Sequence, residues 1–258
     1  MKSLVKKLAD TSFGILLRNS FNYKPVYLKY FKKNYPITVS DAFLWRTDNG
    51  YKTKFKYSDI LSLFYKVKNA VVEFHFYSKD NKLLKIEKIN HLNLSNEFEI
   101  TSNYLNDIKD YGVFYVYHFS ENKSDLDYKD IISNRCYLGY SQNNNLYSFT
   151  HGNTLARFTS INLKENISTD IVKTSLFKNH TYTIQKYFNN FDKNELFFSN
   201  PTSKIVKFSL ENIKYILNSG CVTKIEPNNS LVSIKSNCLF LRPTVFSYQG
   251  KFIDVHHS

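Results

Sequence analysis

Residues 133–153 read SNRCYLGYSQNNNLYSFTHGN, and residues 236–258 read SNCLFLRPTVFSYQGKFIDVHHS. Each stretch opens on Ser-Asn, passes an arginine into an aromatic run, turns over polar residues and returns along a second aromatic run to a histidine. Each therefore predicts a β-hairpin ending in the same chemistry. A strand-rich unit that recurs predicts two modules, because one sheet cannot bury its apolar face without a second layer. The expected class is all-β: two tandem antiparallel β-sandwich modules, over residues 36–155 and 156–258, behind a short helical segment in residues 1–35.

Composition supports that class. The chain has 258 residues, 42% of them hydrophobic, with 20 Tyr and 22 Phe against 7 Gly and 5 Pro. Aromatic residues fit pleated, half-buried strands, and this length holds two cores of ordinary size. Between the hairpins, VEFHFYSKDNKLLKIEKI (72–89) and NELFFSNPTSKIVKFSLENI (194–213) share a strand–turn–strand cadence, and YGVFYVYHF (111–119) takes the place of LVSIKSNCLF (231–240). After the turn signal Asp48-Asn49-Gly50, Tyr51, Thr53, Phe55 and Tyr57 alternate with Lys52, Lys54 and Lys56. That pattern predicts a strand with an apolar face inward and a solvated lysine face outward.

The formal net charge is +13, and residues 1–35 hold eight basic residues against Asp10 alone. There Leu4, Val5, Leu8, Ile15 and Leu16 share one helical face. A basic amphipathic helix either packs on its own domain or lies on an anionic membrane surface; packing is the default. Elsewhere the charge is ordinary and argues against a nucleic-acid partner. Three cysteines without CxxC spacing predict a reducing, cytoplasmic setting. FGILL at 13–17, followed by Arg18, has no cleavage pattern behind it, so no secretory leader is expected.

Two regions concentrate candidate chemistry. A hairpin loop at Ser141–Asn145 would set Arg135 opposite His151, and a Gln249-Gly250 turn would set Arg242 opposite His257, one position from His256. An arginine fork with a histidine suits an anionic or hydroxyl-rich ligand; the same pair also serves as a structural corner that bonds loop carbonyls. The second region, SDAFLWRTD (40–48), places the only tryptophan, Trp45, beside Arg46 and Asp48. This set suits a sugar ring stacked on indole, while a Trp that plugs the first sandwich reads the same. Asp254 and His256 share a strand face and His257 opposes it, so one strand offers at most two metal ligands; His151, His180, His118 or His75 could complete a set only through folding. No metal or cofactor is expected. No GxSxG, P-loop or GxGxxG occurs, which leans away from an enzyme.

With SDAFLWRTDNGYKTKF (40–55), RCYLGYS (135–141), YSFTHGN (147–153) and RPTVF (242–246) in view, residues 38–258 resemble a group of uncharacterised bacterial proteins. The genes of that group often lie near those for surface-glycan assembly. The last module is also faintly similar, in strand cadence and in Ser-Asn followed by an Arg-Pro strand, to the sensory rhodopsin transducer family, from which no functional residue is carried over. The first resemblance implies a carbohydrate or nucleotide-sugar binding protein linked to surface-polysaccharide assembly, cytoplasmic or peripheral to the membrane. Alternatives are a structural or interaction protein that forms a homo-oligomer or partner complex, and a glycan-modifying enzyme.

Overall fold

The computed structural model describes residues 35–258, apart from 91, 121–125, 128, 135, 153–154, 162–168, 173, 176–178, 185–189, 229–230, 239–240 and 258; of the N-terminal segment it describes 5, 8–9, 11, 13–14 and 16–17. Twenty strands occur among the described residues. In the first part these are β1 (Ile37–Asp41), β2 (Phe43–Arg46), β3 (Tyr51–Ser58), β4 (Val71–Ser78), β5 (Leu83–Ile89), β6 (Ser95–Ile100), β7 (Tyr111–Phe119), β8 (Ile131–Ser133), β9 (Cys136–Gln142), β10 (Ser148–Thr150), β11 (Leu155–Ser160) and β12 (Thr169–Asp170). The second part holds β13 (His180–Ile184), β14 (Lys193–Ser199), β15 (Val206–Leu210), β16 (Ile213–Leu217), β17 (Val222–Ile225), β18 (Val232–Ser236), β19 (Thr244–Gln249) and β20 (Phe252–His257).

The pairing orders show the duplication. The first module stacks β2-β7-β4-β5 against β10-β9-β3-β6, and the second stacks β13-β18-β15-β16 against β20-β19-β14-β17. Matched in chain order, eight strands of one module occupy the same places as eight strands of the other. The hairpins correspond as the sequence suggests, β9–β10 with β19–β20, and β7 corresponds with β18. The middle of the repeat is offset by one strand: β4–β5 answers to β15–β16, not to β14–β15. Indeed β14 and β15 lie in different sheets, so the segment 194–213 crosses the sandwich where 72–89 makes a hairpin.

Facing apolar rows hold each sandwich together. Across the first, Phe55 meets Phe74 and Phe114 edge-on, with ring centroids 5.8 and 5.1 Å apart, and Phe74 meets Phe98 at 4.9 Å. Such edge-to-face geometry aligns positive ring edges with negative faces. In the second sandwich Phe198, Phe208, Leu196, Ile234 and Val245 form the core. The first module's core runs on into the second through Phe197, Val222, Phe246 and Val255, so the two modules share an apolar seam.

Two expectations need correction. β11 pairs with β1, and β12 with β11, in a further sheet, β12-β11-β1-β8, so the first set of sheets runs past residue 155 to Asp170. One pairing, β1 with β8, is parallel. Beyond the N-terminal segment, the one-and-a-half-turn α1 (Ile60–Tyr65) starts where the Asp59 side chain accepts a hydrogen bond from the Ser62 amide, an ordinary N-cap. Within the N-terminal segment Val5, Leu8, Phe13, Leu16 and Leu17 are helical and exposed. Leu4, Ile15 and the basic residues opposite them lie outside the described residues.

Candidate functional site

Trp45 and Arg46 are both fully buried. The Trp45 indole donates to the Tyr77 carbonyl at 2.9 Å, and Gly112 leaves room for its ring, since a Cβ there would stand 2.9 Å from Trp45 Cε2. Trp45 is therefore the plug of the first sandwich and offers no stacking platform. Arg46, next along β2, points into the seam between the modules. Its Nε and Nη2 fork onto Asp48 at 2.9 and 2.8 Å, while Nη1 donates to Glu195 Oε2 at 2.8 Å and to the Tyr248 hydroxyl at 3.1 Å. Tyr248 donates to Glu195 at 2.6 Å and receives the Tyr51 hydroxyl at 2.6 Å. Lys193 and Lys224 hold the other Glu195 oxygen at 3.1 and 3.2 Å. The guanidinium also lies 3.9 Å from the Tyr51 ring centroid and 4.6 and 4.7 Å from those of Phe197 and Phe246.

Burial pushes the Glu195 carboxyl up, but Arg46, Tyr248 and the two lysines outweigh it and hold the group down at about 2. Burial likewise pushes Tyr51 up to about 12, against the pull of Arg46. Every charge in this cluster has partners. Charges so paired act as a bolt between modules, and removing one partner is costly because the other stays buried. Of the sequence candidates, Arg46 and Asp48 are thus brought together in the seam, while Trp45 lies apart from them and bonds Tyr77.

The hairpin ends differ from expectation by the same step in both copies. In the first, Tyr140 pairs with Ser148, and not with Leu146. In the second, Tyr248 pairs with Ile253 and Thr244 with His257, so Arg242 lies two residues beyond the position opposite His257. The turns explain the shift. Asn143 and Asn144 both take positive φ in a longer first loop, and Gly250, at φ 57°, occupies the first central position of a Gly250-Lys251 turn, where glycine is favoured. Arg135 lies outside the described residues.

The structure instead joins the two histidines. β10 and β20 run side by side: Ser148 Oγ accepts from the Val255 amide at 2.9 Å, and Asn145 Nδ2 donates to the Lys251 carbonyl at 3.3 Å. At the far end the His151 and His257 rings stand 4.3 Å apart between centroids. His256 faces the other way, its Nδ1 3.2 Å from Asp254. Beside His151, burial pushes Asp41 up to about 6 against the pull of that histidine. Cys136 is pushed up to about 12 by burial, which leaves it a poor nucleophile.

The open surface rich in mixed chemistry is the outer face of the β10-β9-β3-β6 sheet. The alternation read from 51–57 holds: Tyr51, Thr53, Phe55 and Tyr57 are buried while Lys52, Lys54 and Lys56 face out. Register then sets Lys54 opposite Gly139 and Glu99, and Lys56 opposite Tyr137 and Glu97. Phe149 pairs with Gly139 and lies across it, where any Cβ would strike the ring. The result is an aromatic row of Tyr147 and Phe149, with Tyr137 beside it, a lysine row and a glutamate row. Tyr137 is 61% and Phe149 42% exposed. Lys54 sits 4.9 Å from the Tyr147 ring centroid and Lys56 5.2 Å from that of Phe149. Tyr147 donates to Glu99 at 2.7 Å, and Lys54 and Lys56 each pair with Glu97 at 3.8 and 3.4 Å. The aromatic partners of the lysines come from neighbouring strands, which alternation along β3 alone does not reveal.

No family model matches the chain, and no curated protein matches it. Among solved structures it is similar to the major pilin protein (T3.2) from Streptococcus pyogenes serotype GAS13637, at 11% identity over 86% of this chain and 96% of that one. The TM-score is 0.20, too loose a superposition to bear on fold or role.

Proposed function

We propose that the protein binds carbohydrate and serves surface-polysaccharide assembly, with an extended glycan laid across the outer face of the β10-β9-β3-β6 sheet. The observation that carries this reading is the exposed Tyr137 and Phe149, with the half-buried Tyr147 beside them, set among lysine and glutamate head groups. Apolar faces of sugar rings stack on such aromatics, and fixed polar groups around them bond hydroxyls and give orientation. The Tyr137 and Phe149 rings stand on an open sheet face, which favours a glycan chain over a nucleotide sugar. The test is affinity electrophoresis through gels cast with a panel of bacterial polysaccharides. Retardation of the parent protein that is lost in Tyr137→Ala/Phe149→Ala supports the reading; no retardation by any polysaccharide ends it.

A second reading, an interaction protein that forms a homo-oligomer, is favoured by Ile213 and Ile216, exposed on the edge strand β16. An unpaired apolar edge invites strand-to-strand association, and light scattering of the purified chain decides it. We also place the protein in the cytoplasm at an anionic membrane surface, held by residues 1–35, where described apolar side chains are exposed. No helix among the described residues is long and apolar enough to cross a membrane. Attachment of this kind predicts binding to anionic, not neutral, liposomes, weakening as salt rises.

A further inference from the structure

The 4-stranded sheet β12-β11-β1-β8 has no counterpart in the second module, and it gives the first module a side-chain cluster that the second lacks. The sheet packs against β7, where the Ser40 and Thr38 hydroxyls accept from the Val116 and His118 amides at 2.7 and 2.9 Å. On β11, Arg157 and Thr159 pair with Ser40 and Thr38 and so leave the sheet on that same side. Arg157 thereby reaches over the outer face of the β2-β7-β4-β5 sheet. Its Cζ stands 4.4 Å from the Tyr115 ring centroid and 5.9 Å from that of Tyr77. Further along this face the Tyr117 and His75 rings are 5.2 Å apart, and His75 Nε2 lies 3.0 Å from Glu73 Oε2.

Arg157 is bonded on one edge only. Its Nε donates to Asp170 Oδ1 at 3.1 Å, while Nη1 and Nη2 meet no acceptor among the described residues. The Tyr115 ring beneath holds the guanidinium in place, so the free edge is a preset planar fork of the kind that grips carboxylate or phosphate. Thr159 adds a second observation: it is 3% exposed and its hydroxyl has no partner, a buried polar atom of the sort that a ligand or water satisfies. The side chains of Arg157, Asp170, His75 and Glu73 keep 14, 15, 17 and 11% of their surface exposed, so the cluster is open to small solutes. We propose that it binds a small hydroxylated oxyanion, a sugar acid or a sugar phosphate. The carboxylate or phosphate takes the Nη edge of Arg157, and the hydroxyls turn to Tyr77 and to the Glu73–His75 pair. Glu73 accepts from hydroxyls and repels a second negative charge, so the site selects ligands that are anionic at one end. It lies on the other sheet of the first sandwich from β10-β9-β3-β6 and does not depend on the glycan reading of that face.

The test titrates the full chain, carbon-13 labelled at tyrosine, with glucuronate, glucose 6-phosphate and glucose, and follows the ring signals of Tyr77 and Tyr115 by nuclear magnetic resonance. At least one of the two acids should move both signals, and glucose should bind about tenfold or more weakly than that acid. The tighter acid identifies the oxyanion as carboxylate or phosphate. Arg157→Lys keeps the charge beside Asp170 but removes the fork, and should weaken binding by about tenfold or more. Tyr77→Phe removes only a half-buried hydroxyl, folds independently of the Arg157 contacts, and should weaken binding by about threefold. Lys207→Ala, exposed on β15 of the second module, should bind as the parent does. Signals moved by neither acid, glucose bound as tightly as the acids, or Arg157→Lys and Tyr77→Phe binding as the parent does would each overturn the proposal.

Discussion

Arg46 in the seam and Lys54 on the outer sheet face each place a cation against an aromatic ring beside a carboxylate, yet the two sites have opposite consequences. Arg46 is fully buried, its guanidinium bonded to Asp48, Glu195 and Tyr248 and covered by Tyr51, Phe197 and Phe246. Lys54, with Tyr147 and Glu99, lies on a face open to water. Desolvation separates them. A buried pair is expensive to disturb because its partners cannot turn to solvent, whereas an exposed pair is screened and contributes little to stability. The first kind holds a fold together, and the second leaves a surface free to exchange water for ligand.

The largest expected effect breaks that comparison at the seam. Arg46→Ala strands Glu195 and Asp48 and should cost about 3–5 kcal/mol of stability, measured by denaturant unfolding. The double variant Arg46→Ala/Glu195→Ala should lose less than the sum of the two singles. Strict additivity would mean that the pair is not coupled.

Acid sensitivity should come next, from His118. Burial pushes its pKa down to about 4, against the hydrogen bond its Nε2 donates to Asn134 Oδ1. The unfolded state therefore takes up the proton first as pH falls below 6.5, and stability drops until about pH 4. The total is about 3 kcal/mol at 1.36 kcal/mol per pKa unit. Glu195, held at about 2, adds stability that is present above its ordinary value of 4.5 and is lost as pH falls toward 2. His118→Phe should flatten the slope between pH 6.5 and 4 while leaving the deeper acid loss. An unchanged slope would assign it elsewhere.

On the open face the expected effect on stability is the smallest. Lys54→Ala and Lys56→Ala should each change unfolding by less than about 1 kcal/mol while weakening retention by polysaccharide. A large stability loss would place these lysines in the structural class with Arg46.

How much of this was legible beforehand follows the range of the interactions. Alternation along 51–57 predicts the buried and exposed faces of β3 correctly, because side-chain direction within a strand is a local property. Hairpin existence is legible for the same reason. Register is not: both hairpins slip by two residues because loop backbones at Asn143, Asn144 and Gly250 set the pairing. A slip of two keeps each side chain on its face, so the histidines stay legible while their arginine partners do not. The repeat is visible at the hairpins and offset in the middle, since strand–turn–strand cadence carries no record of which sheet a strand joins. Trp45 and Arg46 draw attention as residue types, but only Glu195 and Tyr248, some 149 and 202 residues away from Arg46, reveal that Arg46 faces a buried seam. No local signal marks those partners. The aromatic row beside the lysines is likewise a product of cross-strand register.

The most direct test of the contrast between seam and face is a paired measurement on Tyr137→Ala/Phe149→Ala: thermal unfolding, and equilibrium binding to a polysaccharide that retains the parent protein. Removing two exposed rings should leave unfolding within about 1 kcal/mol of the parent while weakening binding by about tenfold or more. Binding that survives the loss of both rings, or that falls only in step with the fold, would contradict the account.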